Sequence, residues 1–249
     1  MLSELPSMAE LFSKLWMPVQ TPLMNAISMN NVNNLGLKTD ILNSNPYLFN
    51  NEIVNKNLPI TNQRSSGRCW LFASSNLIRS VSFDNLKEKY GEIENFELSQ
   101  KYLFFWDKFE RYHRSLLYFV DIHKEEENKD RYLYQLLNDP LGDGGQWDMA
   151  KDIIKKYGVV PKAVYPDSHH AKSSRQMNKI LTAQLKSDFS LLKENLNDPS
   201  LTDMINMMSK RAYKLLISFL GKPPDKFSWT FRDTKGNSIN SIKTMTPID

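Results

Sequence analysis

One cysteine, Cys69, is the whole thiol content of 249 residues. A lone cysteine cannot close an intramolecular disulfide, so bridge-stapled secreted scaffolds are excluded and a reducing compartment is the expected home. No apolar run approaches the ~20 residues of a membrane-spanning helix. The amino terminus, MLSELPSMAELFSKLWMPVQ, carries Glu4 and Glu10 where a secretory leader is basic. These absences predict a cytoplasmic protein with no membrane partner. Blocks of like charge are missing as well: 32 basic and 28 acidic side chains leave a net of +4, and the basic ones are dispersed. A calculated pI near 8.9 raises the question of nucleic acid. Asp107, Glu110, Asp148 and Asp152 interleave with the lysines and arginines and break any basic stripe, so a nucleic-acid partner is not expected. The adjacent His169 and His170 have no acidic or thiol cluster around them in sequence, so neither a metal nor another cofactor is expected. Internal repeats and extended low-complexity tracts are absent, apart from mild Asn enrichment near the start.

What is present is a globular composition, 41% apolar and 11% aromatic, enough for a sizeable core. Residues 1–58 are Asn-rich, contain Pro6, Pro18, Pro22 and Pro46, and show only short helical patches such as 8–16. They read as an extended arm wrapped on a body. From Ser66 onward Trp70, Ala73, Leu77 and Val81 follow helical spacing while Leu71, Phe72 and Ile78 cover other faces, which predicts a buried helix. Tyr102, Phe105, Phe109, Tyr112, Leu116 and Phe119 alternate steps of three and four, with Ser99 as N-cap. A polar stretch around 124–131 follows. Then DPLGDGGQWDMAKDIIKKYGVVP places a Gly-rich turn before a helix carrying Trp147, Ala150, Ile154 and Tyr157, stopped by Gly158 with Pro161 beyond. Two more helices are predicted, one through Met177, Leu181, Leu185, Leu192 and Leu196, the other through Ile205, Met208, Ala212, Leu215 and Phe219. After Pro224 the period changes to two. Phe227, Trp229 and Phe231 alternate with polar residues, and Lys235-Gly236-Asn237 offers a turn.

The stretch TNQRSSGRCWLFASSN, residues 61–76, surrounds Cys69. A free cysteine is most often a small buried hydrophobe. Here it opens a helix, where unpaired N–H groups and the helix dipole favour a negative charge. Gly67 allows a tight turn and close approach of a substrate backbone. Gln63, six residues earlier, carries an amide donor that could face the same point as the Cys69 N–H, and two donors converging beside a nucleophile make an oxyanion hole.

A glutamine followed by Gly-x-Cys-Trp at the head of a helix resembles the nucleophile segment of the papain-like cysteine proteases. Arg68 stands where serine is common, and the second cysteine is absent. That variant, with the longer NQRSSGRCWLFASSN, resembles the bleomycin hydrolase and aminopeptidase C branch. FELSQKYLFFWDKFER, DPLGDGGQWDM, KKYGVVPKAVYP and LGKPPDKFSWTFRD resemble later segments of that branch, so the likeness runs from about Pro59 to the last residue. It implies an α+β, papain-like fold of which this chain holds mostly the helical domain and only the start of the β domain. The expected divisions are 1–58 as arm, 59–165 as helical domain, 166–222 as helical insertion and 223–249 as the β-domain start.

The same resemblance implies Cys69 as nucleophile and Gln63 as oxyanion donor, with Trp70 packed beneath the site. Gly144 and Gly145 match the pair that lies along the cleft and hydrogen-bonds substrate backbone, with Asp143 and Gln146 beside them; a tight turn before a helix explains one glycine readily and two less well. The implied activity is release of amino-terminal residues from peptide substrates through a thioester acyl-enzyme, in a homo-hexamer. A thiol protease also needs a base and a group to orient it. The family draws its histidine and asparagine from the β domain, and neither His113, His123, His169 nor His170 matches that histidine. The expectation is therefore a fragment lacking the catalytic histidine and asparagine, inactive alone. The competing reading is an inactive short form that co-assembles with full-length homologues and modulates them.

Overall fold

Ser99 Oγ accepts a hydrogen bond from the Tyr102 N–H at 3.2 Å and donates to the Tyr165 carbonyl at 2.6 Å, so the expected cap starts the central helix and ties it to a neighbouring loop. The fold is that of a computed structural model whose described residues are 21–31, 35, 37, 38, 41, 44, 59–124, 129–240 and 244–249. They divide into two units, Met1–Val54 and Asn55–Asp249. The first contains a helix at Thr21–Met29 (α1). The helical patch expected at 8–16 lies outside the described residues, as does most of the arm.

In the second unit the order is α2 (Cys69–Tyr90), α3 (Gln100–Lys124), α4 (Lys129–Asn138), α5 (Trp147–Tyr157), α6 (His169–Lys172), α7 (Arg175–Glu194), α8 (Leu201–Leu220), β1 (Thr230–Arg232) and β2 (Ser238–Asn240). Helix α3 is the hub, packed by α2, α4, α5, α7 and α8. Its expected stripe is in the core with Phe109 partly buried, but Leu103, Phe104, Asp107 and Lys108 are buried too, so its first half is enclosed on nearly every side. The segments expected as 59–165 and 166–222 share this one core. Asp188 of α7, wholly buried, accepts from Tyr112 of α3 at 2.6 Å, from Gln184 at 3.0 Å and from Arg211 of α8, which satisfies its charge and locks three helices together. Trp106 and Tyr157 stack at 4.0 Å, and Phe119 and Phe189 at 4.5 Å, sealing α3 against α5 and α7.

Three expectations are corrected. Helix α2 does not bury the Trp70, Ala73, Leu77 and Val81 face. Trp70 is buried, but Ala73, Leu77 and Val81 are exposed, and Leu71, Phe72, Ser74, Ser75 and Arg79 face inward. Small serines allow close helix approach, and Arg79 is accommodated because its guanidinium donates to the Pro59 carbonyl at 3.0 Å. Helix α4, which the sequence reading did not expect, begins at the end of the polar stretch, at Lys129, and runs on to Asn138, with Leu136 its buried residue. At the far end of α8 the buried positions are Leu216 and Leu220, with Leu215 and Phe219 partly covered, a slip of one residue that a 3.6-residue period accumulates over a long helix.

The final segment forms an antiparallel hairpin with Phe231 opposite Ile239. Gly236 takes φ +84° in its turn, where Asp233 Oδ1 accepts from the Lys235 and Asn237 N–H groups at 2.9 and 2.7 Å. The alternating aromatics are not left uncovered: Phe231 meets Tyr90 edge-on at 5.5 Å and Trp229 meets Phe96 at 5.1 Å. Main-chain bonds from Glu94 to Arg232 and from Thr234 to Glu92 dock the hairpin on the loop after α2. Among the described residues no helix is long and apolar enough to cross a membrane.

Candidate active site

Residues 59–68 form a short-turned segment laid against the start of α2. Asn76 donates to Thr61 Oγ1 at 2.9 Å, and Asn62 Oδ1 accepts from the Arg64 N–H at 2.8 Å. Arg64 takes φ +57°, a left-handed conformation that this Asx turn supports. Ser65 then pairs in parallel with Ser173, its N–H donating to the Lys172 carbonyl at 2.9 Å. Ser66 Oγ donates back to the Gln63 carbonyl at 2.8 Å. Gly67 N–H donates to Asp143 Oδ2 at 3.0 Å; a Cβ at Gly67 would stand 2.7 Å from the Asp143 Cβ, so only glycine fits.

Cys69 follows as the first residue of α2 and is exposed. The preceding Arg68 lends no side-chain cap, and the Cys69 N–H and sulfur have no hydrogen-bond partner among the described residues. The helix start thus presents uncapped donors and a thiol to the open side. The Gln63 side chain is half-buried, and its amide has no partner among the described residues.

Beneath Cys69 the indole of Trp70 is buried and its Nε1 donates to the Asp143 carbonyl at 2.8 Å. Gly145 lies against that ring, where a Cβ would approach Trp70 Cε2 to 2.5 Å. Gly144 is different: a Cβ there meets nothing within 4 Å, and its carbonyl accepts from Arg111. Gln146 is the N-cap of α5 and exposed, its side chain making no cap bond, and Trp147 beside it is 53% exposed instead of packing on the face expected for it. The two adjacent glycines therefore have separate physical reasons. One clears an indole, and the other leaves open space.

Asp143, expected beside the substrate, points its carboxylate into the protein. Oδ2 accepts from Gly67 and Ser174, and Oδ1 from Asn178 at 2.6 Å and from the Lys108 ammonium at 2.8 Å. Burial pushes its pKa up, but Lys108 and the hydrogen bonds from Ser174 and Gly67 outweigh that and hold it at about 2. Lys108 also donates to the Leu141 and Gly142 carbonyls, so its three protons are used in fixing the glycine turn. Together Asp143 and Lys108 join the loop before Cys69 to the turn at 141–145.

Arg68 is the other anchor, with a side chain wholly buried. Its Nη1 donates to Asp167 at 2.9 Å, its Nε to Ser66 Oγ at 2.8 Å, and its Nη2 stands 3.5 Å from the Gln63 carbonyl. The guanidinium lies 5.1 Å from the Phe72 ring centre and 5.6 Å from that of Phe104. Close by in the same electrostatic cluster is Lys101, 3.5 Å above the Tyr165 ring; burial lowers its pKa to about 8, with Asp167 raising it and Arg68 lowering it further.

The structure gathers Gly67, Trp70, Asp143 and Gly145 into direct contact and ties Gln63 to Arg68, the residue before Cys69. The histidines are engaged elsewhere: His113 with Ser209 at 2.9 Å, His123 with the Phe119 carbonyl at 2.7 Å, and His170 against the Phe219 ring at 4.8 Å. His169 is exposed on α6. Sequence reasoning did not assign Arg68, Ser66, Lys108, Arg111 or Asp167. The available signal was Asp107-Lys108 with Arg111 interrupting the aromatic run of α3, since charges set into a core stripe need buried partners.

A profile of the Peptidase C1-like family matches residues 8–249. The bleomycin hydrolase of Oryctolagus cuniculus is 38% identical over 209 residues, covering 82% of this chain and 73% of that protein. The bleomycin hydrolase of Homo sapiens is also 38% identical over 209 residues, 82% of this chain but 44% of that protein. Aminopeptidase C of Lactococcus lactis subsp. lactis is 40% identical over 176 residues, 70% of this chain and 38% of that protein. The crystal structure of PepW from Lactobacillus rhamnosis aligns with a TM-score of 0.83 at 31% identity, covering 100% of this chain and 55% of that one. The chain thus spans less than half the length of the human and bacterial curated relatives.

Proposed function

The chain belongs to the Peptidase C1-like family, and on that premise we propose that it carries the nucleophile half of a cysteine aminopeptidase of the bleomycin hydrolase type. The observation that carries this reading is the exposed Cys69 at an uncapped helix start, seated on the Trp70, Asp143 and Gly145 lock. The Cys69 thiolate attacks the carbonyl carbon of a substrate amide, forming a C–S bond while the carbonyl oxygen takes the electron pair. The Cys69 N–H and the Gln63 amide hold that oxyanion. Collapse expels the amine, protonated by a histidine, and water hydrolyses the thioester. Gly144, open to the outside, lets a substrate backbone lie along the turn, with Gln146 at the rim.

The histidine and its orienting asparagine belong to a further segment of the full-length gene product. The exposed Ala73, Leu77 and Val81 run along α2 from Cys69 at spacings of four, and they form the apolar face against which that segment packs. The same face would let a short form seat on full-length homologues, the second reading. Assembly as a homo-hexamer in the cytoplasm goes with the first.

The test is hydrolysis of a fluorogenic amino-acid amide by the full-length product, with and without a thiol alkylator. Activity lost in Cys69→Ala and on alkylation supports the proposal; unchanged activity in Cys69→Ala refutes it. The 249-residue chain alone should show no turnover, and Cys69-dependent hydrolysis by it would overturn the assignment of the base to a further segment. Stable co-purification of the chain with a full-length homologue favours the second reading.

A further inference from the structure

We infer that Arg68 and Ser66 are positioning residues for the oxyanion donor Gln63, acting through a buried relay that runs from Asp167 to Arg68 to Ser66 to the Gln63 carbonyl. The inference rests on the proposed role of Gln63 and deepens it.

The geometry is directional at each link. Asp167, 6% exposed, accepts from Arg68 Nη1 at 2.9 Å, which fixes the plane of the guanidinium. In that plane Nε points at Ser66 Oγ, 2.8 Å away. Because the oxygen accepts there, its own proton is turned outward, and it donates to the Gln63 carbonyl at 2.8 Å. Phe72 and Phe104 flank the guanidinium and leave it little room to swing. The relay closes a turn between Gln63 and Ser66 whose next residue but two is the nucleophile.

Such a device is needed because the loop has few other restraints at this point. Asp143 holds Gly67, the Lys172 carbonyl holds Ser65, and the Asn62–Arg64 Asx turn brackets Gln63, but among the described residues the Gln63 carbonyl itself is bonded only by Ser66 and Arg68. A glutamine side chain with two free methylene torsions delivers its amide to one place only if its backbone is held. A lysine at position 68 could not do the same work: a single ammonium lacks the fork that bonds Asp167 and Ser66 at once while presenting a flat face to two rings. The arginine that departs from the common serine thus has a function of its own in this branch.

The experiment is a double-mutant cycle in the full-length product, measuring kcat and KM for an amino-acid amide. Gln63→Ala should lower kcat by ~10²–10³-fold. Ser66→Ala, which removes one hydroxyl from an otherwise intact loop, should lower kcat by roughly tenfold with KM little changed, as expected for a donor displaced by a fraction of an ångström. In the Gln63→Ala background the same Ser66→Ala change should cost nothing further. Arg68→Lys should behave as Ser66→Ala does, and thermal midpoints of all variants separate loss of fold from loss of position. Equal losses in both backgrounds, or full activity in Ser66→Ala, would overturn the relay. Should the wild-type product lack Cys69-dependent activity, the proposed function fails on its own. The relay is then read in the 249-residue chain by titration with a short peptide aldehyde, whose carbonyl carbon bonds to Cys69 sulfur while the thiol proton ends on the oxygen. Weaker adduct formation in Ser66→Ala, absent in the Gln63→Ala background, supports it; equal adduct affinity refutes it.

Discussion

Alanine at Gly145 and alanine at Gly144 should behave as opposites. At Gly145 the new methyl carbon would meet three atoms of the Trp70 indole at 2.5–2.7 Å, about 1 Å inside the ~3.5–4.0 Å of a carbon–carbon contact. The ring has nowhere to retreat, since it is buried and its Nε1 is committed to the Asp143 carbonyl. Overpacking of this kind costs about 1–3 kcal/mol. Loss of the indole bond adds to it, while the reduced entropy of the unfolded chain returns ~0.4–1 kcal/mol. Neither glycine lies in the left-handed region, so backbone strain does not enter. A net loss of roughly 1–3 kcal/mol in a unit of this size lowers the midpoint by roughly 2–12 °C. At Gly144 nothing lies within 4 Å, so the unfolded-state term stands alone and the midpoint should stay or rise by up to ~4 °C. Thermal unfolding of the 249-residue chain followed by far-ultraviolet circular dichroism distinguishes the two. In the full-length product Gly144→Ala should still raise KM, because its methyl group projects into the space assigned to substrate backbone. A Gly145→Ala chain as stable as wild type, or equal destabilisation by the two changes, would refute the division of labour.

Three further outcomes follow from buried charge and exposed surface. Asp143→Asn leaves the Lys108 ammonium without its counter-charge and should cost about 3–5 kcal/mol in urea unfolding; because folded Asp143 titrates at about 2 against an ordinary 3.8, the unfolded chain binds more protons between those values, so wild-type stability should fall from about pH 4 to pH 2 more steeply than that of the variant. Lys101 gives a slope of the same sign at higher pH, but as a cost at neutrality: unfolded it keeps its proton up to pH 10.5, folded only to about 8, so stability should rise with pH across that window, and Lys101→Met should remove the rise and be the more stable chain at pH 7. Leu77→Lys and Val81→Lys, on the exposed face of α2, should change the stability of the 249-residue chain by less than about 0.5 kcal/mol, yet lower the yield or activity of the full-length product. Equal tolerance in both contexts would argue that this face is never covered.

Much of the fold was legible because helical periodicity and capping are local. The Tyr102 to Phe119 stripe, the Ser99 cap, the Gly158 stop and the Gly236 turn are each set by residues a few positions apart, and each is where the pattern puts it. The misreading of α2 has a tertiary cause. Helix α2 has apolar residues on several faces, and periodicity cannot say which of them a neighbour will cover; α3 and α5 cover the face of Leu71 and Phe72, not that of Leu77 and Val81. Likewise the alternation of Trp229 and Phe231 does not say what covers them; Tyr90 and Phe96, more than a hundred residues earlier, do.

For the site, the sequence by itself determined the family and the place of Cys69 at a helix start, and it singled out Gln63, Gly144 and Gly145 as the residues proposed to serve it, because those rest on residues and spacings within short segments. Tertiary structure alone decided how the site is held. The partners that pin the loop, Asp143 with Lys108 and Arg68 with Asp167, lie 35 and 99 positions apart in the chain, so their pairing becomes visible only when folding brings opposite charges together out of water.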